Sequence, residues 1–289
     1  MTQKFSIIFT VLIIWLSLYL SPLAEIYLAG FFSLTLGLMH GSFDIFLFKS
    51  LIVNARNKNV TVLIAYYLLF VLLVFLLVFA APVIGFWFFL LVSSYHFGEQ
   101  HLHSRALKHF PRLHYMVYGL FLFGMLISSH PQEVEALLVP MTGQSFINLP
   151  WEVMTISSGL LLALFWVIDY NAFQGELPKE VFYLLLFWAV FKSTDLALSF
   201  GLYFVLWHAL PSMADQIKES FGSFSRDHLK QYLIKGLPFW GVALLGFAAL
   251  LWANTLLQGS LFPVLLAAGV GITFPHILLI GQLFRKPTT

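Results

Sequence analysis

Residues 60–80 read VTVLIAYYLLFVLLVFLLVFA, a run with no charged side chain. About 20 apolar residues in a helix cross a hydrocarbon core of roughly 30 Å, so this stretch is predicted to span a membrane. The rest of the chain has the same character. Of its 289 residues, 60% are hydrophobic and 10% charged, against about a quarter charged in a soluble domain. Mean hydropathy is +0.89, and there are 32 Phe, 8 Trp and 11 Tyr. That composition excludes a disordered chain, a secreted disulfide scaffold and a nucleic-acid binder with a basic face. Cysteine is absent, which removes disulfides, thiolate nucleophiles, Fe–S clusters and cysteine zinc sites. Ten histidines remain to be explained.

Outward from 60–80, the apolar segments are 5–21, 26–48, 82–99, 113–129, 152–169, 180–195, 197–217, 236–256 and 261–284. The expected fold is therefore all-α: a polytopic transmembrane helical bundle of about ten spans, or eight or nine if short ones are re-entrant. It forms a single integral-membrane domain over 1–289, multi-pass in the cell (inner) membrane and surrounded by lipid. Charge tests the division independently. With the N- and C-termini cytoplasmic, Lys4, Lys49, Arg56, Lys58, Arg105, Lys108, Arg112, Lys179, Lys218, Arg226, Lys230, Lys235, Arg285 and Lys286 all lie inside. Only Lys192 lies outside, as the positive-inside rule requires. No internal repeat is visible.

Ionisable groups inside a membrane are costly, so each is a functional hypothesis. The second span holds Gly37-Leu38-Met39-His40-Gly41-Ser42-Phe43-Asp44, and the fourth ends in His96-Phe97-Gly98-Glu99-Gln100-His101. The eighth holds Trp207-His208 with Ser212, Asp215 and Gln216 downstream, and the tenth holds Pro275-His276. All four run from outside to inside. Their histidines lie 14, 14, 11 and 15 residues from the span starts, ~17–23 Å deep at about 1.5 Å per residue. Equal depth makes a shared centre possible without showing that the helices are neighbours.

Neutral imidazole binds Fe, Cu, Zn or Ni without bringing negative charge into lipid. Asp44, four residues after His40 and so on the same helical face, is a candidate to orient a neighbouring imidazole. Glu99, Gln100 and Asp215 are further candidates, and Gly37, Gly41 and Gly98 would admit close backbone approach. Taken singly, an intramembrane histidine is more often a helix–helix hydrogen-bond partner; the matched depth of four favours a site. His103, His109, His114, His130 and His228 are expected at solvated interfaces. His101, five residues from His96, is intermediate, with the helix end unwinding around it.

In His40-Gly41-Ser42-Phe43-Asp44, His96-Phe97-Gly98, Trp207-His208 and Pro275-His276, in that order, the chain resembles the Brp/Blh family of integral-membrane β-carotene 15,15'-dioxygenases. The resemblance implies cleavage of the central double bond of β-carotene with O2 to two molecules of retinal, which a microbial rhodopsin commonly takes up. It also implies an Fe(2+) centre held by histidines, carried over here to His40, His96 and His208. Two departures bear on the fourth ligand. Ser212 stands where many members have a second histidine, and His101 where many have an acidic residue. His276 is the choice by depth and motif, His101 the alternative, and a three-histidine site remains workable. No general acid or base is assigned. The rival readings are a transporter or proton relay using intramembrane His and Asp, a lipid desaturase or hydroxylase, and a non-catalytic rhodopsin-associated carotenoid- or retinal-binding protein.

Overall fold

The computed structural model describes residues 2–51, 60–257 and 261–283, and the described residues are all-helical, with no strand. In chain order the helices are α1 (Thr2–Ser17), α2 (Pro22–Phe32), α3 (Asp44–Leu51), α4 (Val60–Ala80), α5 (Pro82–Leu102), α6 (Pro111–Ser129) and α7 (Pro131–Thr142). Then follow α8 (Trp151–Ile168), α9 (Tyr170–Phe173), α10 (Leu177–Ser193), α11 (Leu196–Tyr203), α12 (Leu210–Phe221), α13 (Arg226–Leu257) and α14 (Leu261–Leu283). A π-helical turn, Ser33–Gly37, follows α2, and a second, Phe204–Ala209, joins α11 to α12.

Each predicted apolar segment falls on these helices, with 26–48 divided between α2, the first π turn and α3. The helices α7 and α9 occupy stretches read from the sequence as loops. Among the described residues, three helices are long and apolar enough to cross a membrane: Trp151–Ile168, Leu196–Phe221 and Arg226–Leu256. Pro111–Ser129 and Pro131–Thr142, bent by 95°, make a fourth if they form one span. Of the bases used to orient the chain, Arg56, Lys58, Arg285 and Lys286 lie outside the described residues, as does the C-terminus.

The chain divides into two units, each built from two segments. The first comprises the chain up to Ser33 together with Leu90–Pro211. In it α5 lies on α6 with backbone against backbone. A Cβ at Gly98 would lie 1.9 Å from the Tyr115 carbonyl oxygen, and one at Gly119 would lie 1.9 Å from that of Ser94. Beside them, Leu102, Val117, Tyr118, Leu162, Phe165 and Phe173 form a buried core. His114 lies within this region, fully buried against the rings of Phe165 and Phe173, not at a solvated interface as expected. Its place on the α6 face that carries Val117 and Tyr118 turns it inward. His130 is also buried, bonded to Ser199 Oγ at 3.1 Å and Glu133 Oε1 at 3.0 Å. In the loop after α7, the Ser145 hydroxyl and the Phe146 N–H hold the Glu135 carboxyl below the usual carboxylate range.

The second unit comprises Leu34–Phe89 and the chain from Ser212 onward. Here α4 packs on α14 through Val74, Val78, Ala267 and Val270. A Cβ at Gly271 would come within 3.0 Å of the Val71 carbonyl oxygen, so the two helices run close. The opposite face of α4 is just as apolar, with Leu68, Leu69, Leu72 and Leu73 exposed. A helix apolar on both faces suits a hydrocarbon surround.

The α5–α6 contact yields a direct expectation. Gly98→Ala should destabilise the detergent-solubilised protein by at least about 1–3 kcal/mol, the usual cost of overpacking, read as a lower midpoint in thermal size-exclusion assays. Gly246→Ala, where nothing lies within 4 Å of the added carbon, should be neutral or stabilising by up to about 1 kcal/mol. A Gly98→Ala protein as stable as wild type would contradict the backbone contact.

Candidate metal centre

In the second unit the chain leaves the helix at His40 and re-enters it at Asp44, with turns between. The expectation that His40 and Asp44 share one helical face therefore fails. Instead, Asp44 opens α3 and its Oδ1 accepts the Nδ1–H of His276 at 2.8 Å. The Nδ1–H of His40 is given to the Gly37 carbonyl. Both rings thus spend Nδ1 on a protein acceptor, which fixes the tautomer and makes Nε2 the nitrogen that could ligate a metal. The rings stand edge to face, centroids 4.7 Å apart and planes at 81°, and are 8% and 2% exposed. Pro275 precedes His276 in α14 and has no N–H for the Gly271 carbonyl, a local break in the helix ladder beside that histidine.

The turn bearing His40 is braced from behind. Gln216 Nε2 donates to the His40 carbonyl at 3.0 Å and lies 3.1 Å from Ser212 Oγ. The Tyr232 hydroxyl is 3.1 Å from the same carbonyl and 3.0 Å from Gln216 Oε1, and its ring stacks on Phe43 at 4.6 Å. Gly236 lets α13 approach, since a Cβ there would be 2.4 Å from Ser42 Oγ. Ser212 thus belongs to the support of His40. Tyr232 was missed by sequence reasoning; only its polar tip in an otherwise mixed helix start hinted at it.

The first unit holds a second pair. His96 on α5 and His208 in the second π turn are each 1% exposed, with centroids 4.7 Å apart and planes at 72°. The π turn has a local cause. Pro211 has no N–H to give to the Trp207 carbonyl four residues back or the Leu206 carbonyl five back. The Leu206 carbonyl is satisfied from α1 by Ser6 Oγ at 2.7 Å, and the Trp207 indole N–H donates to Thr10 Oγ1 at 2.9 Å. Single π turns of this kind commonly mark functional positions, and here one presents a histidine. Phe97 and Phe204 pack on His208 at 4.5 and 5.8 Å, an apolar wall on that imidazole.

The remaining candidates are placed elsewhere. His101 stays on α5, which is helical through Leu102, so the expected unwinding does not occur. Its Nε2 is 2.7 Å from Glu180 Oε2, its ring stacks on Tyr118 at 4.5 Å, and Arg105 binds the other Glu180 oxygen. Lys179 and Arg105 hold the neighbouring Glu176 carboxyl below the usual carboxylate range. Glu99 accepts from the Tyr95 hydroxyl at 3.0 Å, Gln100 is buried, and Asp215 pairs with Lys218 at 3.3 Å. Gly98 does admit a helix; Gly41 has nothing closer than 3.9 Å to an added carbon. His109 is tied to Asp169 at 2.8 Å, His103 to the Gln100 carbonyl at 2.9 Å and His228 to the Ser223 carbonyl at 2.7 Å.

A sequence model described as β-carotene 15,15'-dioxygenase matches residues 31–284, most of the chain. The chain belongs to the β-carotene 15,15'-dioxygenase family. Searches of curated proteins and of solved structures gave no match. The matched span of this dioxygenase-family chain contains His40, Asp44, His96, His101, His208, Ser212 and His276. Membership supports a carotenoid dioxygenase enzyme in general terms. The donor chemistry would fit a metal ion: the four imidazoles are buried, and in the His40–His276 pair the backbone carbonyl and carboxylate bind Nδ1 of both rings.

The His101 network predicts a stability effect. Glu180→Ala removes the buried carboxylate partner of His101, one of the two carboxylates on Arg105, and should cost roughly 3 kcal/mol, as breaking a buried pair does. Thermal unfolding of the purified protein measures it. A loss under about 1 kcal/mol, the value of a surface pair, would show that the network is solvated.

Proposed function

We propose that this protein cleaves β-carotene at its central double bond with O2, giving two molecules of retinal, and that His40, His96, His208 and His276 hold the iron(II) on which the reaction depends. The observation that carries this reading is the family match across 31–284, a span that includes every one of these histidines. Their equal depth in the sequence and the two imidazole pairs, each with centroids 4.7 Å apart, support it. His276 is preferred to His101 as the fourth ligand because its Nδ1 is held by Asp44, while His101 has its Nε2 on Glu180.

Bound iron(II) would supply a centre that activates dioxygen. The work of the protein is placement and exclusion of water. The Gly37 carbonyl and Asp44 hold the Nδ1–H of His40 and His276, which fixes each ring's orientation and puts the lone pair of the neutral imidazole on Nε2. Gln216 and Tyr232 hold the His40 backbone, and Phe97 and Phe204 wall His208 with apolar rings. A hydrocarbon substrate offers no hydrogen bonds, so shape and apolar contact must set which bond is presented. We further propose ten spans with both termini cytoplasmic in the cell (inner) membrane, where β-carotene is already dissolved, and transfer of retinal to a microbial rhodopsin.

Expression in cells that make β-carotene and lack any cleavage enzyme tests the reading. Orange colour should fade, and chromatography should show retinal accumulating in about a 2:1 molar ratio to carotene lost, as central scission requires. His40→Ala, His96→Ala, His208→Ala and His276→Ala should each reduce turnover to background while the protein remains in the membrane. Unchanged carotene with folded, iron-loaded protein would overturn the proposal and favour a binding role.

A further inference from the structure

The Asp44 carboxylate is 1% exposed, and each of its oxygens has a named task. Oδ1 accepts the His276 ring N–H at 2.8 Å, and Oδ2 accepts the hydroxyl of Tyr67 at 2.9 Å. Tyr67 lies on α4, on the face that packs against α14. At helical spacing it is followed by Phe70 and Val74, which meet Phe274 and the buried Ala267 and Val270. The Phe70 and Phe274 rings stack at 5.6 Å, and Gly271 allows the close approach to Val71. The helix that delivers the tyrosine is therefore locked to the helix that delivers His276. Packing alone would be met by phenylalanine; the hydroxyl adds a donor to a carboxylate that burial would otherwise leave half satisfied.

We infer that Tyr67 is a positioning residue for His276, acting through Asp44. Its hydroxyl fixes the plane of the carboxylate, and the carboxylate fixes the imidazole with Nε2 outward. The inference rests on the reading of His276 as a metal ligand and names a residue outside the motifs that carry the family resemblance. Partners of this kind orient ligands and raise their basicity, and their removal typically costs about 10–100-fold in metal affinity.

Anaerobic titration of the purified, detergent-solubilised protein with cobalt(II), followed by its visible absorption, reads the effect without reference to turnover. Tyr67→Phe should weaken cobalt binding about tenfold, at the lower end of that range, and Asp44→Asn more strongly. Tyr67→Phe combined with Asp44→Asn should bind no more weakly than Asp44→Asn alone, because the tyrosine acts only through the carboxylate. Tyr66→Phe, at a neighbouring position that is 59% exposed, should match wild type. Undiminished binding by Tyr67→Phe, or losses that add fully in the double variant, would overturn the inference while leaving the metal-site reading intact. A wild-type protein that takes up neither cobalt(II) nor iron(II) would overturn the metal-site reading, and the inference with it.

Discussion

The buried Asp44 carboxylate is the constraint around which the second unit is organised. A charge taken out of water is tolerated only when its lone pairs are met, and here two helices supply the donors, Tyr67 from α4 and His276 from α14. Asp44 itself stands at the first position of α3, where a carboxylate also favours the helix start. One side chain thus relates three helices and sets the tautomer of an imidazole. Its placement requires the helix to stop at residue 40, since a continuous helix would carry Asp44 along the His40 face instead of presenting it to α14.

Helix irregularities recur at three of the four histidines, His96 on the unbroken α5 being the exception. The first π turn ends three residues before His40, the second contains His208, and Pro275 interrupts α14 one residue before His276. In an apolar surround each interruption frees a backbone carbonyl that needs a donor. Side chains provide three of them: Ser6 for Leu206, Trp240 for Leu34 at 2.9 Å, and Gln216 with Tyr232 for His40. Several polar residues of an otherwise apolar sequence thus serve as repairs that let the imidazoles be presented.

The helical segments were legible because hydrophobic runs of the right length leave little choice, and α4 and α8 follow their predicted limits closely. Histidines 40, 96, 208 and 276 stood out because ionisable groups in such runs are rare. What was not legible depends on contacts between residues far apart in the chain. Tyr67 in a largely aliphatic run has no periodic or compositional mark, and Tyr232 has only its polar tip in a mixed helix start. His114 and His130 were misplaced for the opposite reason: nearness to a span end was read as exposure, whereas α6 and α7 turn them inward. The break at 40–43 was hidden within a stretch hydrophobic enough to read as one span.

The central claim is that histidine nitrogens hold an iron ion in this dioxygenase-family chain. X-ray absorption of the iron-loaded wild-type protein tests it most directly. The account predicts a shell dominated by nitrogen at roughly 2.0–2.2 Å with the multiple scattering of several imidazoles, losing one imidazole in His276→Ala. A shell of oxygen ligands without imidazole scattering, or one unchanged in His276→Ala and His208→Ala alike, would contradict it.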